Sequence, residues 1–407
     1  MTDAEPALKR SLSLTLVTLY GLGNILGAGI YVLIGKVAAN AGQYAPLSFL
    51  VASILAGLTA FTYAELSSRY PLSAGEAVYM QAGFNLKLLS STVGLLIILA
   101  GIVSAATICR GFVGYFHQFV PLSETFVIVV LVSVLGALAA WGIVESVRVA
   151  ALLTLAELFG LLLVLWVAAP AGEVIVEALH SMTTSIVLSD WHGIMLGGIL
   201  AFYAYIGFED MVNVAEEVRN PVVNLPRAIL IALLVSTLLY MAVALVAITS
   251  VPVTELADSD APLAFIYQRA TGNTPVLIST IAMFAVVNGA LIQIIMASRV
   301  CYGLSRQGWL PAMFSRVNPF TRTPLISTLL VSLSILIMAL WLPVETLARG
   351  ASLLLLMVFS LVNLALWRIK RRADAAPAGF SVPGWIPAAG FISSTAFLAY
   401  QLLAGIH

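Results

Sequence analysis

Long apolar runs, separated by short polar connections, dominate the chain. Eleven of them are long enough to cross a bilayer as helices: 13–35, 46–68, 88–116, 123–143, 148–169, 193–215, 226–250, 276–304, 325–343, 347–367 and 385–405. Leu, Ala and Val fill these runs without the two-residue alternation of a barrel strand, which excludes an outer-membrane barrel. The polar connections 170–192, 251–273 and 369–384 are too short to fold alone. The pattern predicts an all-α polytopic membrane protein with about eleven transmembrane helices and no appended soluble domain.

Composition agrees. Of 407 residues, 61% are hydrophobic and 9% charged, against roughly 25% charged in an ordinary soluble domain. Mean hydropathy is +1.04, and nothing could cover so large an apolar core in water. Net charge is zero, but its distribution is lopsided. Counting Lys and Arg on alternate sides of the eleven spans places fifteen on one side and three on the other, with Arg110 inside the third span. The positive-inside rule then puts the N-terminal tail (1–12) in the cytoplasm and His407 outside, in an inner or plasma membrane. Lys9 and Arg10 precede an apolar stretch as in a signal peptide, but that stretch is too long and too broken, and is read as a retained first span. Cys109 and Cys301 lie in apolar runs and read as packing residues. His117, His180, His192 and His407 show no ligand spacing, so no metal site is expected.

Two spans carry interruptions that a simple membrane helix would not choose. The first holds Gly21, Gly23, Gly27 and Gly29 within nine residues, at about 1 kcal/mol per Gly relative to Ala in a helix interior. The sixth combines Phe202, Tyr203, Tyr205, Gly207, Phe208, Glu209 and Asp210 at membrane depth. Gly23 and Gly27 also fit a small-xxx-small helix-packing pair. A dinucleotide fingerprint fails, because Leu26 stands at the third glycine position and no strand precedes it. Each broken span opens a block of five, the two lying about 175 residues apart. An odd number of spans per block gives the second block inverted topology, the signature of one transporter architecture. Unwound backbone is tolerated there because it lines a ligand cavity. Free N–H groups at a half-helix N-terminus suit a carboxylate, and free carbonyls at a half-helix C-terminus suit an ammonium. A zwitterionic α-amino acid carries both.

The residues are also similar to a known family. Gly23-Asn-Ile-Leu-Gly27-Ala28-Gly29-Ile30-Tyr31 resembles the first helix of the amino acid–polyamine–organocation (APC) superfamily. Tyr63-Ala-Glu65-Leu-Ser-Ser-Arg69 with Gly75-Glu76-Ala77, Ala204-Tyr205-Ile206-Gly207-Phe208-Glu209 with Glu216-Glu217-Val-Arg219-Asn220-Pro221, and Ser298-Arg299 through Pro311 resemble its later segments in the same order. Within that superfamily the pattern resembles the cationic-amino-acid-transporter-like branch of bacteria and archaea. The resemblance implies a LeuT-type fold, with one five-helix repeat over 13–169, its inverted counterpart over 193–367 and an additional helix at 385–405. It implies amino acid transport by alternating access. Two departures stand out. Members commonly have twelve spans, and Glu157 occupies a fifth-helix position where that branch often carries a lysine.

On this basis the expected substrate site is the backbone of Gly27, Ala28, Gly29 and Ile30 for the carboxylate, and of Tyr203, Ala204, Tyr205, Ile206 and Gly207 for the amine. Tyr203 is the expected lid. Glu157 and Glu209 are the proton-coupling candidates. An ionised carboxylate at mid-membrane costs about 2.5–3.5 kcal/mol on insertion scales, and for both residues a structural role stands beside coupling. For Glu157, contact with the substrate ammonium is a third reading. Asp210, Asn213 and Glu217 would share one helical stripe and act as a gate or loop anchor. Glu65, Arg69, Glu76, Glu216, Glu217, Arg219 and Arg299 are the expected inner gate, and Asn220-Pro221 and Leu225-Pro226 the expected helix boundaries. The run Arg368-Ile-Lys370-Arg371-Arg372 reads first as a positive-inside stop.

No cofactor is called for; the driving ion is expected to be the proton, with sodium the second choice. The expected partners are a small amino acid and the lipid bilayer, with no nucleic acid and no obligate protein partner. Few net charges were expected along the cavity, which favours proton-coupled uptake of neutral amino acids over exchange of cationic amino acids or polyamines. A channel would need a symmetric filter or rings of like charge. A membrane enzyme would need acids, His or Cys clustered at one depth. Neither pattern is present.

Overall fold

The computed structural model describes residues 8–117, 120–259, 261–342, 344–372 and 376–404. Fifteen α-helices follow in order: α1 (Leu14–Ala41), α2 (Ala45–Arg69), α3 (Gly75–Phe84), α4 (Lys87–Phe116), α5 (Glu124–Trp141), α6 (Ile143–Val167), α7 (Gly172–Thr184), α8 (Asp190–Tyr203), α9 (Pro221–Ser250), α10 (Val253–Ala257), α11 (Pro262–Thr271), α12 (Val276–Arg306), α13 (Leu325–Trp341), α14 (Val344–Ile369) and α15 (Trp385–Ala404). A 3-10 helix, Phe208–Glu217, follows α8. Among the described residues nine segments are long and apolar enough to cross a membrane, and α13 is a shorter apolar helix of 17 residues. The protein is an all-α, multi-pass membrane protein. Of the residues counted or named above, His407 lies outside the described residues, as does the side chain of Arg349.

Each expected span coincides with a helix, except that the sixth is divided between α8 and the 3-10 helix; α15, expected as the last span, is not among the nine segments found over the described residues. The connections 170–192 and 251–273 contain α7, α10 and α11. In α7, Ala178 and Met182 recur at helical spacing, and Met182 is buried in a small cluster with Tyr44 and Ile194. The helix therefore lies on the bundle rather than forming a domain of its own. Pro226 does not mark a boundary. α9 begins five residues earlier, with Pro221 in its first turn and Asn220 in a left-handed conformation (φ 46°) before it. A proline fits at the first helical position because its missing N–H would have had no partner there. The chain before α1 is pinned as well: Ser11 and Leu12 donate their backbone N–H groups to the Glu217 carbonyl, at 2.8 and 2.9 Å.

α1 is the centre of the bundle, packed against α6, α8, α9 and α12. Its backbone leaves helical geometry at Gly27 (φ −22°, ψ −146°). The sixth span breaks at Ala204–Gly207, between the end of α8 and the 3-10 helix. Gly207 has φ 133°, a conformation side chains rarely adopt, and a Cβ there would lie 2.9 Å from the backbone carbon of Asn24. The two breaks therefore face each other at close range.

Candidate functional site

A cavity of about 250 Å³ opens at the paired breaks. α1 contributes Asn24, Gly27 and Gly29; the sixth span contributes Tyr203, Ile206, Gly207, Glu209 and Asp210. Ser104 and Thr107 of α4, Gly289 and Gln293 of α12, and Ser352 and Leu355 of α14 complete the wall. Along α4 the lining runs from Ala100 to Ile108, and along α12 from Met296 back to Ala285. Both runs lead away from the helix ends that carry the Lys- and Arg-rich connections.

The expected substrate residues divide. Gly27, Gly29, Tyr203, Ile206 and Gly207 line the cavity. Ile30 and Tyr205 are fully buried in the core, and the Tyr205 hydroxyl donates to the Phe49 carbonyl at 3.1 Å. The Ala204 carbonyl lies 3.0 Å from the Tyr240 hydroxyl, which lies 2.7 Å from the Ile25 carbonyl, so one tyrosine serves a carbonyl from each broken span. The side chain of Ala28 lies outside the described ones. The glycines divide too. A Cβ on Gly23 would run into Thr154 and Asn288, and one on Gly29 would lie 2.9 Å from Ala204 Cα. At Gly27 a Cβ would meet nothing within 4 Å. Close packing explains Gly23 and Gly29, whereas Gly27 faces open space.

Asp210 was expected on a stripe with Asn213 and Glu217. The segment is a 3-10 helix instead, in which residues three apart eclipse. Asp210, Asn213 and Glu216 therefore form one row, and Glu217 is offset from it. Asp210 lines the cavity, where Asn24 Nδ2 and Gln293 Nε2 donate to its Oδ2 at 2.5 and 2.7 Å. Asn24 Nδ2 also lies 3.0 Å from the Gly207 carbonyl. This knot joins both breaks to α12. Read from sequence, Asn24 and Gln293 carry no role and Asp210 is a gate or loop anchor rather than a cavity residue, although amides and acids inside apolar runs were the available signal. Glu209 Oε2 accepts the Gly207 N–H at 2.8 Å, capping the break from its own helix.

Glu157 lies outside the cavity wall, fully buried between α6 and α12. Its Oε1 accepts from Asn288 Nδ2 at 2.9 Å, while Oε2 has no hydrogen-bond partner. Tyr31 of α1 donates to the Glu157 carbonyl at 3.1 Å, and Thr154, one turn earlier, donates to the Leu19 carbonyl at 3.1 Å. The carboxyl thus sits where α1, α6 and α12 meet.

Six of the seven gate candidates form two groups. Buried Glu65 accepts from Arg69 at 2.7 Å, from Lys370 of α14 at 2.8 Å and from the Val382 N–H at 2.8 Å. Lys370, read from sequence as part of a topological stop, is thus a structural partner. Glu217 and Arg299, both fully buried, pair through two contacts of 3.3 Å. Beside them Glu216 accepts the Ser73 N–H at 3.1 Å, Asn213 Oδ1 accepts the Gly75 N–H at 3.1 Å, and Asn213 Nδ2 lies 3.4 Å from Glu76 Oε1. The second group fastens the 3-10 helix to α3 and α12 at the Lys- and Arg-rich end. Burial raises the Glu76 carboxyl to about 8. Arg219 is exposed and contributes its backbone N–H, which donates to the Leu12 carbonyl at 2.9 Å.

Two interrupted spans around one largely apolar cavity with a few polar groups, inside a multi-pass bundle, are the arrangement of a membrane transporter. The comparisons with known proteins agree: a family model described as amino acid permease matches residues 12–405. The chain belongs to that family, within the APC superfamily, and is an amino acid transporter rather than an enzyme. It is 29% identical to the branched-chain amino acid permease of Bacillus subtilis, over 94% of this chain and 86% of that protein. It is 28% identical to the methylthioribose transporter of the same organism, over 95% of this chain and 87% of the relative. It is 31% identical to the mitochondrial cationic amino acid transporter 3 of Arabidopsis thaliana, over 86% of this chain but 60% of that longer protein.

Proposed function

We propose that the protein is a secondary active transporter of the inner or plasma membrane. It works by alternating access on a LeuT-type scaffold of two inverted repeats, 13–169 and 193–367, with 385–405 as an extra helix. The N-terminus is cytoplasmic and the C-terminus outside. The observation that carries this reading is the cavity shared by the breaks at Gly27 and Ala204–Gly207. The α1 break receives the substrate carboxylate beside Gly27 and Gly29, and the sixth-span break receives the amine near Tyr203 and Ile206. Tyr203, half-buried at the wall, is the lid. In the conformation described, the Glu217–Arg299 and Glu65–Lys370 groups close the cytoplasmic side, and the cavity extends towards the opposite face.

Uptake of neutral amino acids is coupled to protons. Glu157 is the coupling group favoured by position, because it touches α1, α6 and α12 at once, and these are elements that must move relative to one another. Glu209 is the second. A cationic substrate is the alternative reading, supported by one specific observation: Glu209 and Asp210 line the cavity and, among the described residues, no basic residue does. Proteoliposome uptake of labelled leucine, alanine, arginine and lysine, with and without an inward proton gradient, tests both. Concentrative uptake of a neutral amino acid that collapses with the gradient is expected. Uptake confined to arginine and lysine would replace the neutral reading.

A further inference from the structure

The basic run at the end of α14 does more than mark a side of the membrane. Of its four cations, Lys370 is consumed by Glu65. The arginines turn instead into a separate cavity of about 490 Å³, formed with the end of α3 and lined by Phe84, Asn85, Trp367, Arg368, Arg371 and Arg372. Each guanidinium is held in place. Arg368 lies 4.7 Å from the centre of the Phe84 ring, and Arg371 lies 3.5 Å from that of Trp367. Arg372 donates to the Ala82 carbonyl at 2.9 Å. An arginine stacked on a ring uses its face there and keeps its in-plane N–H groups for a ligand. Among the described residues no carboxylate lines the cavity, and neither Arg368 nor Arg371 forms an ion pair. The Arg368 and Arg371 guanidiniums, gathered around one space, repel one another, and an anion entering it would relieve that repulsion.

The geometry points to a binding site for the phosphate of an anionic glycerophospholipid at the Lys- and Arg-rich face. Planar N–H forks match phosphate oxygens in pairs. The surroundings favour a lipid over a soluble phosphate. Leu86 and Leu88, 57% and 82% exposed, flank Lys87 at the start of α4, beside Asn85 of the cavity wall. Exposed leucines beside a cationic cavity, where spans α4 and α14 end, offer acyl chains an apolar surface directly below the headgroup. A charge cluster serving topology alone requires neither the cavity nor the stacking. A headgroup seated here would tie α3, whose Glu76 faces the 3-10 helix, to α14, whose Ser352 and Leu355 line the central cavity.

The test uses the full-length protein purified in a neutral detergent, with thermal unfolding followed in four titrations: phosphatidylglycerol, phosphatidylcholine, glycerol phosphate and inorganic phosphate. Phosphatidylglycerol is expected to raise the midpoint by several degrees, and phosphatidylcholine and both soluble phosphates are not. The Arg368→Gln/Arg371→Gln double variant alters two exposed side chains and should keep the wild-type midpoint in detergent alone. It should require at least tenfold more phosphatidylglycerol for the same shift. Arg371→Lys, which keeps the charge but loses the fork, should fall between. Equal shifts from phosphatidylglycerol and phosphatidylcholine, or an unchanged response in the double variant, would overturn the site. A shift matched by inorganic or glycerol phosphate would overturn the lipid as its occupant. None of these readouts depends on which solute is transported.

Discussion

Glu217 and Arg299 offer the sharpest energetic test of the closed cytoplasmic side. Both side chains are fully buried, and two 3.3 Å contacts join them across the 3-10 helix and α12. Arg299 Nη1 has no hydrogen-bond partner, and among the described residues Glu217 is the one carboxylate paired with this arginine. Removing one partner from a buried pair strands the other charge, at a cost of about 3–5 kcal/mol, whereas replacing both with neutral groups is often nearly neutral. Glu217→Gln should therefore destabilise the protein by about 3–5 kcal/mol, since the arginine stays charged. Arg299→Met should be strongly destabilising as well. The double variant should recover most of the loss, giving a coupling energy of several kcal/mol. Reversible denaturant unfolding in mixed micelles measures all three. Exchange uptake in the double variant then reports whether the pair is needed to close the gate or only to hold the fold. Single variants within about 0.5 kcal/mol of wild type, or a double variant as damaged as the sum of the two, would refute the reasoning.

Three further outcomes follow from the geometry. Gly29→Ala places a Cβ 2.9 Å from Ala204 Cα, backbone rather than a movable side-chain tip; a loss of about 1–3 kcal/mol is expected in the same unfolding assay. Glu157→Gln keeps an acceptor for Asn288, so folding should persist; concentrative uptake should fail while exchange of internal for external substrate continues, and unaltered pH-driven accumulation would remove Glu157 from the coupling step. Glu76 is raised by burial from 4.5 to about 8, so the folded protein holds its proton where the unfolded chain has lost it. That contribution to stability is complete below the unfolded value and declines as pH rises towards about 8; Glu76→Gln should therefore raise the thermal midpoint relative to wild type at about pH 9 and flatten its decline across this window.

Much of the fold could be read directly, because a bilayer demands about 20 apolar residues per span and punishes polar ones. The helices of α4 and α12 match their expected limits almost to the residue, 88–116 against Lys87–Phe116 and 276–304 against Val276–Arg306. The breaks were legible as well, since Gly27 and Gly207 stand where helix interiors avoid glycine. What escaped were facts set by rotation and pairing. Periodicity places Asp210 on an α-helical stripe, but the segment is wound as a 3-10 helix, which turns Asp210 towards Asn24 and Gln293. Tyr205 lies two residues from Tyr203, yet it faces Phe49 while Tyr203 faces the cavity. Lys370 sits in a run with an ordinary topological explanation, and only the tertiary fold shows that it meets Glu65 from 305 residues away. Gly23, Gly27 and Gly29 are equivalent as letters; their neighbours across the bundle make Gly23 a spacer, Gly27 an open wall of the cavity, and Gly29 both a spacer against Ala204 and part of that wall.

The most direct measurement is saturable binding of the labelled amino acid identified by uptake, to purified wild-type protein and to Gly27→Leu. A Cβ at Gly27 meets nothing within 4 Å, so the side chain starts into open space, and the thermal midpoint of the variant, measured beside binding, separates a lost site from a lost fold. Its added side chain should occupy the space between the two breaks, where the substrate carboxylate and amine are held. Loss of binding by at least a hundredfold in an otherwise intact protein is the expected result. Wild-type affinity in Gly27→Leu would place the substrate elsewhere in the molecule.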